Sequence, residues 1–364
     1  MGFSPNKKPA LSNSRLSVQK CTDVFKTCGR INCFLFLKVR SWFGLRGFID
    51  KNVEAFYERI FDCSIDRLTI VGDFVRGRLF DDFAWLQNKF DTDTDFKFLA
   101  SNLHQTSFQM FDDKVYIQLQ YGKFVKGRAF RMDYNPNNLT KEQATKIKDV
   151  ILPAVKNAKF TRVDIAFDID YPLSKFMYLE KIPKKKSNYV GKTGAVETMY
   201  FGTRESNEQL RIYDKNTEGS GKVRKVDEET GEVSYEFEPP KDKQGNLHEH
   251  WWRLEFTLKQ DKIEIFRNPE ECIFGNYRIV KLSHLDYEKI EKVTDRALVY
   301  YIMNNPDEKG SLNKRQRKKF EEYIVDMADV EVTDAFKAKY KEKRADIQFH
   351  LSQWMSNTTK VINK

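Results

Sequence analysis

Between positions 208 and 215 the chain reads Glu-Gln-Leu-Arg-Ile-Tyr-Asp-Lys. Taken as a strand with a two-residue period, this stretch turns Leu210 and Ile212 to one side and Arg211, Tyr213 and Lys215 to the other. A phenol between two fixed cations is an uncommon polar face. Neighbouring positive charge favours the phenolate, and an Arg fork beside a Lys point charge can hold a phosphate. The chemistry implied is a tyrosine nucleophile attacking a phosphodiester. A solvent-facing strand that carries Arg, Tyr and Lys is the alternative on these residues alone.

A second stretch, 161–170, alternates cleanly. Val163, Ile165, Phe167 and Ile169 form an apolar face, opposite Arg162, Asp164, Ala166, Asp168 and Asp170. Acidic residues are depleted in strands, and hard divalent cations bind clustered carboxylate oxygens. The strand therefore reads either as a metal-binding face or as an exposed sheet edge. A third stretch, 251–259, sets Trp252, Leu254, Phe256 and Leu258 against Trp251, Arg253, Glu255 and Thr257. Three strands, each with one apolar face and one face of Asp, Glu, Arg, Tyr or Lys, indicate a single sheet with a chemical side.

The chain that must position these strands has 364 residues, 29 of them Phe, and is 40% hydrophobic, enough for a full core. Its net charge of +10 fits a polyanionic partner, nucleic acid before an anionic membrane. Residues 1–50 form a basic, aromatic extension of no assigned function. A short helix is expected over 52–61 and a strand over 65–72, followed by a partly helical Phe/Asp-rich run, 73–100. Strands follow at 115–121 and 128–134, then a turn at 135–138 and a helix from Thr140 to Val155 with Thr140 as N-cap. Segments 197–202 and 210–215 read as a hairpin, and 216–247 as a mobile insertion. Past a soft boundary near 262–280, helices are expected over 282–303, 313–326 and 332–354. The domain reading is thus an extension (1–50), a catalytic sheet domain (51–262) and a helical C-terminal DNA-binding region (263–364).

Other chemistries find less support. His248-Glu249-His250 has a spacing that places two rings on one strand face, but it borders the polar insertion. No phosphate-binding Gly-rich loop and no nucleophile-elbow serine is present. The five cysteines, at 21, 28, 33, 63 and 272, match no zinc pattern and read as reduced thiols of a cytoplasmic protein. No apolar run reaches the roughly 20 residues needed to span a bilayer, so no membrane partner is expected.

In order along the chain, 161–168, 197–202 (Glu-Thr-Met-Tyr-Phe-Gly), 211–215 (Arg-Ile-Tyr-Asp-Lys) and 252–255 (Trp-Arg-Leu-Glu) resemble the replication initiation factor (Rep_trans) family. That family comprises initiators of small rolling-circle plasmids and related relaxases of integrative conjugative elements. The resemblance covers roughly 60–330. It implies an α+β fold, with a central, mostly antiparallel sheet bearing the active site on one face, flanking helices and a helical C-terminal region. It also implies a nucleophile at Tyr213, and Mg²⁺ or Mn²⁺ on Asp164, Asp168 and Glu255. Strand nicking and rejoining would pass through a 5′-phosphotyrosine and release a free 3′-hydroxyl primer. Arg211 and Lys215 would position the phosphate. The base for Tyr213 is open between Asp168 and a metal-bound hydroxide.

The expected partners are origin DNA (a double-stranded or transfer origin), a host or element-encoded helicase and a second copy of the chain. Arg253 with Lys314, Arg315, Arg317, Lys318 and Lys319 are the expected DNA contacts. The alternatives to a plasmid initiator are a conjugative relaxase with the same chemistry, a non-catalytic DNA-binding regulator, and a phosphodiesterase that uses water.

Overall fold

The computed structural model describes residues 51–74, 84, 85, 88, 96–102, 104–120, 129–192, 194–219, 221–226, 233–268, 271–282 and 285–358. The extension 1–50, with Cys21, Cys28 and Cys33, and most of the 73–100 run lie outside these residues.

Helix α1 (Lys51–Arg59) runs directly into the long strand β1 (Ile60–Phe74). Strands β2 (Phe96–Asn102), β3 (Gln105–Met110), β4 (Val115–Gln120) and β5 (Phe130–Tyr134) form a meander. Helix α2 (Lys141–Lys146) begins at Thr140, whose side chain and that of Gln143 make a capping box. The helix expected through Val155 ends early. It passes through one π turn and a 3-10 turn containing Pro153, and at Val155 the chain is already strand. Proline removes a backbone donor and cannot extend an α-helix there.

Strand β6 (Val155–Asp170) is followed by β7 (Met177–Glu180), β8 (Lys186–Val190), β9 (Val196–Phe201), β10 (Glu208–Asp214) and the single-turn helix α3 (Lys215–Gly219). Strands β11 (Gly221–Val226) and β12 (Val233–Glu238) pair as a hairpin within the expected insertion. Strand β13 (Trp251–Lys259) comes next, then β14 (Tyr277–Lys281), α4 (Val293–Asn304), α5 (Lys314–Asp326), β15 (Val330–Glu331) and α6 (Thr333–Met355). The first C-terminal helix thus starts at Val293, eleven residues later than the pattern predicts.

Ten strands form one antiparallel sheet in the order β2-β3-β4-β5-β1-β6-β13-β10-β9-β8. The α+β expectation, a mostly antiparallel central sheet with helices at the C-terminus, is borne out. On the apolar face Val163, Ile165, Phe167, Leu254 and Phe256 are fully buried. Phe167 meets Phe274 at 5.3 Å and Phe336 of α6 at 5.7 Å, edge to face, and Phe56 of α1 meets Phe336 at 5.6 Å. Helices α1 and α6 therefore cover that face, and the opposite face stays open to chemistry.

A smaller antiparallel sheet, β15-β14-β7, carries α4 and α5 on a second apolar cluster that includes Leu179, Val280, Val299, Phe320 and Ile324. The boundary suggested near 262–280 falls inside one compact unit, 50–364. No helix among the described residues is long and apolar enough to cross a membrane.

Candidate active site

Register decides what the polar face of the sheet can do. Strands β1, β6, β13 and β10 lie side by side and build three rungs. The first runs Asp62, Asp168, Arg253, Tyr213. The second runs Ser64, Ala166, Glu255, Arg211, and the third Arg67, Asp164, Thr257, Gln209. The three strands expected to share a chemical side do share it, and their residues line one cleft of about 770 Å³.

Tyr213 is buried, 2% exposed, at the wall of this cleft. The Arg211 guanidinium carbon lies 3.8 Å from its ring centroid and Lys215 Nζ 5.6 Å away. Two expectations need correction here. Lys215 is the first residue of α3, not part of the strand, and it reaches the tyrosine from the end of β10. The phenol's pKa is also raised on balance, not lowered. Burial raises it, opposed by Arg253, and the charges of Glu255, Glu218 and Asp66 raise it further. The physical reason is that burial outweighs the cations, and the charge of Arg211 and Lys215 is partly offset. Both bind Glu218, at 2.6 and 2.8 Å.

The three carboxylates singled out in the sequence do not converge as a set. Asp168, 3% exposed, is held by Arg253 at 2.6 and 2.8 Å and accepts from Trp251 Nε1 at 2.9 Å. With both oxygens engaged, it is not free to take the Tyr213 proton. Asp164, 1% exposed, receives a double hydrogen bond from Arg162. Burial raises its carboxyl pKa against the pull of Arg162.

Glu255 is the exception. Among the described residues its one ion-pair partner is Arg211, at 4.0 Å. Burial, then the charges of Asp164 and Asp66, push its pKa up to about 7. A carboxylate repelled by two others is a position that a cation relieves. Glu255, Asp164 and Asp66 thus act on one another by charge, although among the described residues no group of three such side chains could hold a metal ion as they stand.

Asp66 is the residue sequence reading missed. Strand β1 bulges between Ile65 and Arg67 against β6, which leaves both Asp66 and Arg67 on the polar side. Asp66 then accepts from Arg253 Nη1 at 2.7 Å and Asn135 Nδ2 at 3.2 Å, and Arg67 pairs with Asp133. The signal was a slipped period: Ile65 and Leu68, both buried, are three residues apart rather than two.

Arg253 belongs to this network at the wall of the cleft. Its side chain is 11% exposed and bridges Asp66 and Asp168. Of the other expected DNA contacts, Lys314, Arg315 and Lys318 are exposed on α5. Arg317 donates to the Leu312 carbonyl at 2.9 Å and Lys319 pairs with Asp295.

The His-x-His pair forms no joint site. His248 lies flat on Phe61, ring centroids 3.8 Å apart, with Nε2 2.9 Å from Asp242. His250 is exposed and sits 3.6 Å from Glu249. Part of the insertion instead lines the cleft, through Lys241, Asp242, Lys243 and Gln244, with Lys243 on Asp62 at 3.0 Å.

No family model matches the chain. Among curated proteins it is 29% identical over 318 residues to a replication initiation protein of Staphylococcus aureus, covering 86% of this chain and 91% of that protein. A second replication initiation protein of the same species is 31% identical over 257 residues, covering 69% and 73%. Among solved structures, a rolling circle replication initiator protein from Geobacillus stearothermophilus aligns over 56% of this chain and 77% of its own, at 12% identity and a TM-score of 0.32.

Proposed function

The chain belongs to the replication initiation proteins, and from that membership we propose that it nicks and rejoins one strand of origin DNA to start rolling-circle replication. The observation that carries the reading is the single cleft in which Tyr213, two cations and a set of mutually repelling carboxylates meet. Tyr213 Oη attacks the scissile phosphorus and the bond to the 3′ oxygen breaks. The 5′ side is left as a phosphotyrosine and the 3′ side leaves as a hydroxyl that can prime synthesis. The ester bond is conserved in the exchange, so reversal rejoins the strand without a nucleotide cofactor.

Arg211 and Lys215 hold the non-bridging oxygens, one as a fork and one as a point charge. Arg253, fixed by Asp168 and Asp66, supplies the charge that opposes the rise of the Tyr213 pKa. Mg²⁺ or Mn²⁺ held by Glu255 and Asp164, with Asp66 beside them, would offset negative charge on the phosphate under attack. Asp168 fixes Arg253. Exposed Lys314, Arg315 and Lys318 contact origin phosphates. The names of the relatives favour an initiator over a conjugative relaxase.

The test is a labelled supercoiled origin incubated with Mg²⁺ or Mn²⁺. A denaturation-resistant protein–DNA adduct is expected from the wild type and absent from Tyr213→Phe. Nicking without an adduct, or an adduct that survives in Tyr213→Phe, would show a hydrolytic nuclease or another nucleophile.

A further inference from the structure

One acidic side chain stands where the substrate phosphate of this reading belongs. Glu218, on the turn of α3 that follows the tyrosine strand, accepts from Arg211 Nη2 at Oε1, 2.6 Å, and from Lys215 Nζ at Oε2, 2.8 Å. All three side chains line the cleft with Tyr213. A carboxylate and the two non-bridging oxygens of a phosphodiester present similar paired acceptors to an Arg–Lys pair. The match is incomplete in one respect. Arg211 Nε is buried and has no acceptor among the described residues. A phosphodiester carries bridging oxygens as well, and has an acceptor to spare.

We propose that Glu218 is an internal stand-in for the scissile phosphate, displaced by a DNA strand as it enters the cleft. This rests on the nicking reading of the site. The carboxylate has two consequences while it is in place. It holds the Arg211 guanidinium over the Tyr213 ring, and it offsets part of the positive charge that would otherwise capture any passing polyanion. DNA that lacks enough other contacts cannot displace it, so the residue sets a threshold for engagement of the tyrosine. Its placement is accessible to such exchange: the Glu218 side chain is 37% exposed, more than those of its two partners.

The measurement is fluorescence anisotropy of a labelled 20-nucleotide oligothymidylate with the full chain, in EDTA so that no chemistry intervenes, over a salt series. Glu218→Gln is expected to bind roughly three- to tenfold more tightly than wild type. Its salt dependence should steepen by about 0.7 in the log–log slope, the value for one more neutralised phosphate on a single strand. Glu218→Asp, which keeps the charge, should retain the wild-type slope, and thermal melts of both variants establish that they fold. Unchanged or weaker binding by Glu218→Gln overturns the inference while leaving the nicking reading standing. An oligonucleotide bound by neither wild type nor variant at low salt overturns both.

Discussion

Arg253 stands directly across the β10–β13 pair from Tyr213 and closes Asp168 in a two-pronged ion pair, while its third nitrogen holds Asp66. One guanidinium thus ties three strands together beneath the candidate nucleophile. Arg253→Gln leaves the buried Asp168 carboxylate without its cation, a change of about 3–5 kcal/mol in stability. Urea unfolding should show that loss. Arg253→Lys, which keeps charge but not the fork, should fall between the two. A variant as stable as wild type would mean the network is not structural.

Glu255 makes the stability of the protein depend on pH in a definite direction. Its folded pKa, about 7, lies above the ordinary 4.5, so the folded chain holds this proton more tightly than the unfolded one. The stabilisation linked to it is full below about pH 4.5 and is lost as pH rises toward 7. In EDTA, wild type should lose thermal stability across that window and Glu255→Gln should lose less. Added Mg²⁺ or Mn²⁺ should raise the wild-type melting temperature at pH 8 and leave Glu255→Gln unmoved. Equal pH profiles for the two proteins would argue against a strained carboxylate.

The basic residues of α5 divide into two groups. Alanine at Lys314, Arg315 and Lys318 together should flatten the salt dependence of duplex origin binding by roughly 0.9 for each phosphate no longer neutralised, with little change in melting. Lys319→Ala should instead lower the melting temperature, since Asp295 loses the cation that pairs with it. The reverse pattern, melting affected in the first set and binding in the second, would reassign the DNA-facing side of the helix.

His248 packs between Phe61 and Asp242 and is no ligand of the proposed cation. His248→Ala should loosen the 240–250 loop, seen as faster proteolysis there, and leave adduct formation within about tenfold of wild type, because no electrostatic group of the reaction is removed. A loss as deep as that of Tyr213→Phe would restore the histidine to the chemistry.

Phe336 is fully buried where α6 meets Phe56, Phe167 and Phe274. Phe336→Ala should cost about 3–5 kcal/mol and shift one cooperative transition rather than a separate C-terminal one. Two transitions, with only the second moved, would show that the C-terminal helices unfold independently.

Much of this protein is written in alternation. Apolar residues two apart in 161–170, 208–214 and 251–259 specified three strands and their buried sides, because successive side chains of a strand must point to opposite faces. The same periodicity placed Tyr213, Arg211, Asp164, Asp168, Arg253 and Glu255 on one side of a sheet before any neighbour was known. The order and register of the strands depend on pairings far apart in sequence, and the tertiary structure alone decided them. Register put Arg253 rather than Asp168 beside Tyr213, and it set Glu255 among Asp164 and Asp66. Alternation from Asp62 and Ser64 keeps Asp66 on the polar side, and a bulge in β1 turned Arg67 to that side as well. The turn after β10 brought Glu218 back onto both cations, and so reduced the positive charge that Arg211, Tyr213 and Lys215 suggest by themselves. Local pattern fixes which way a side chain faces; what it faces is a property of the folded chain.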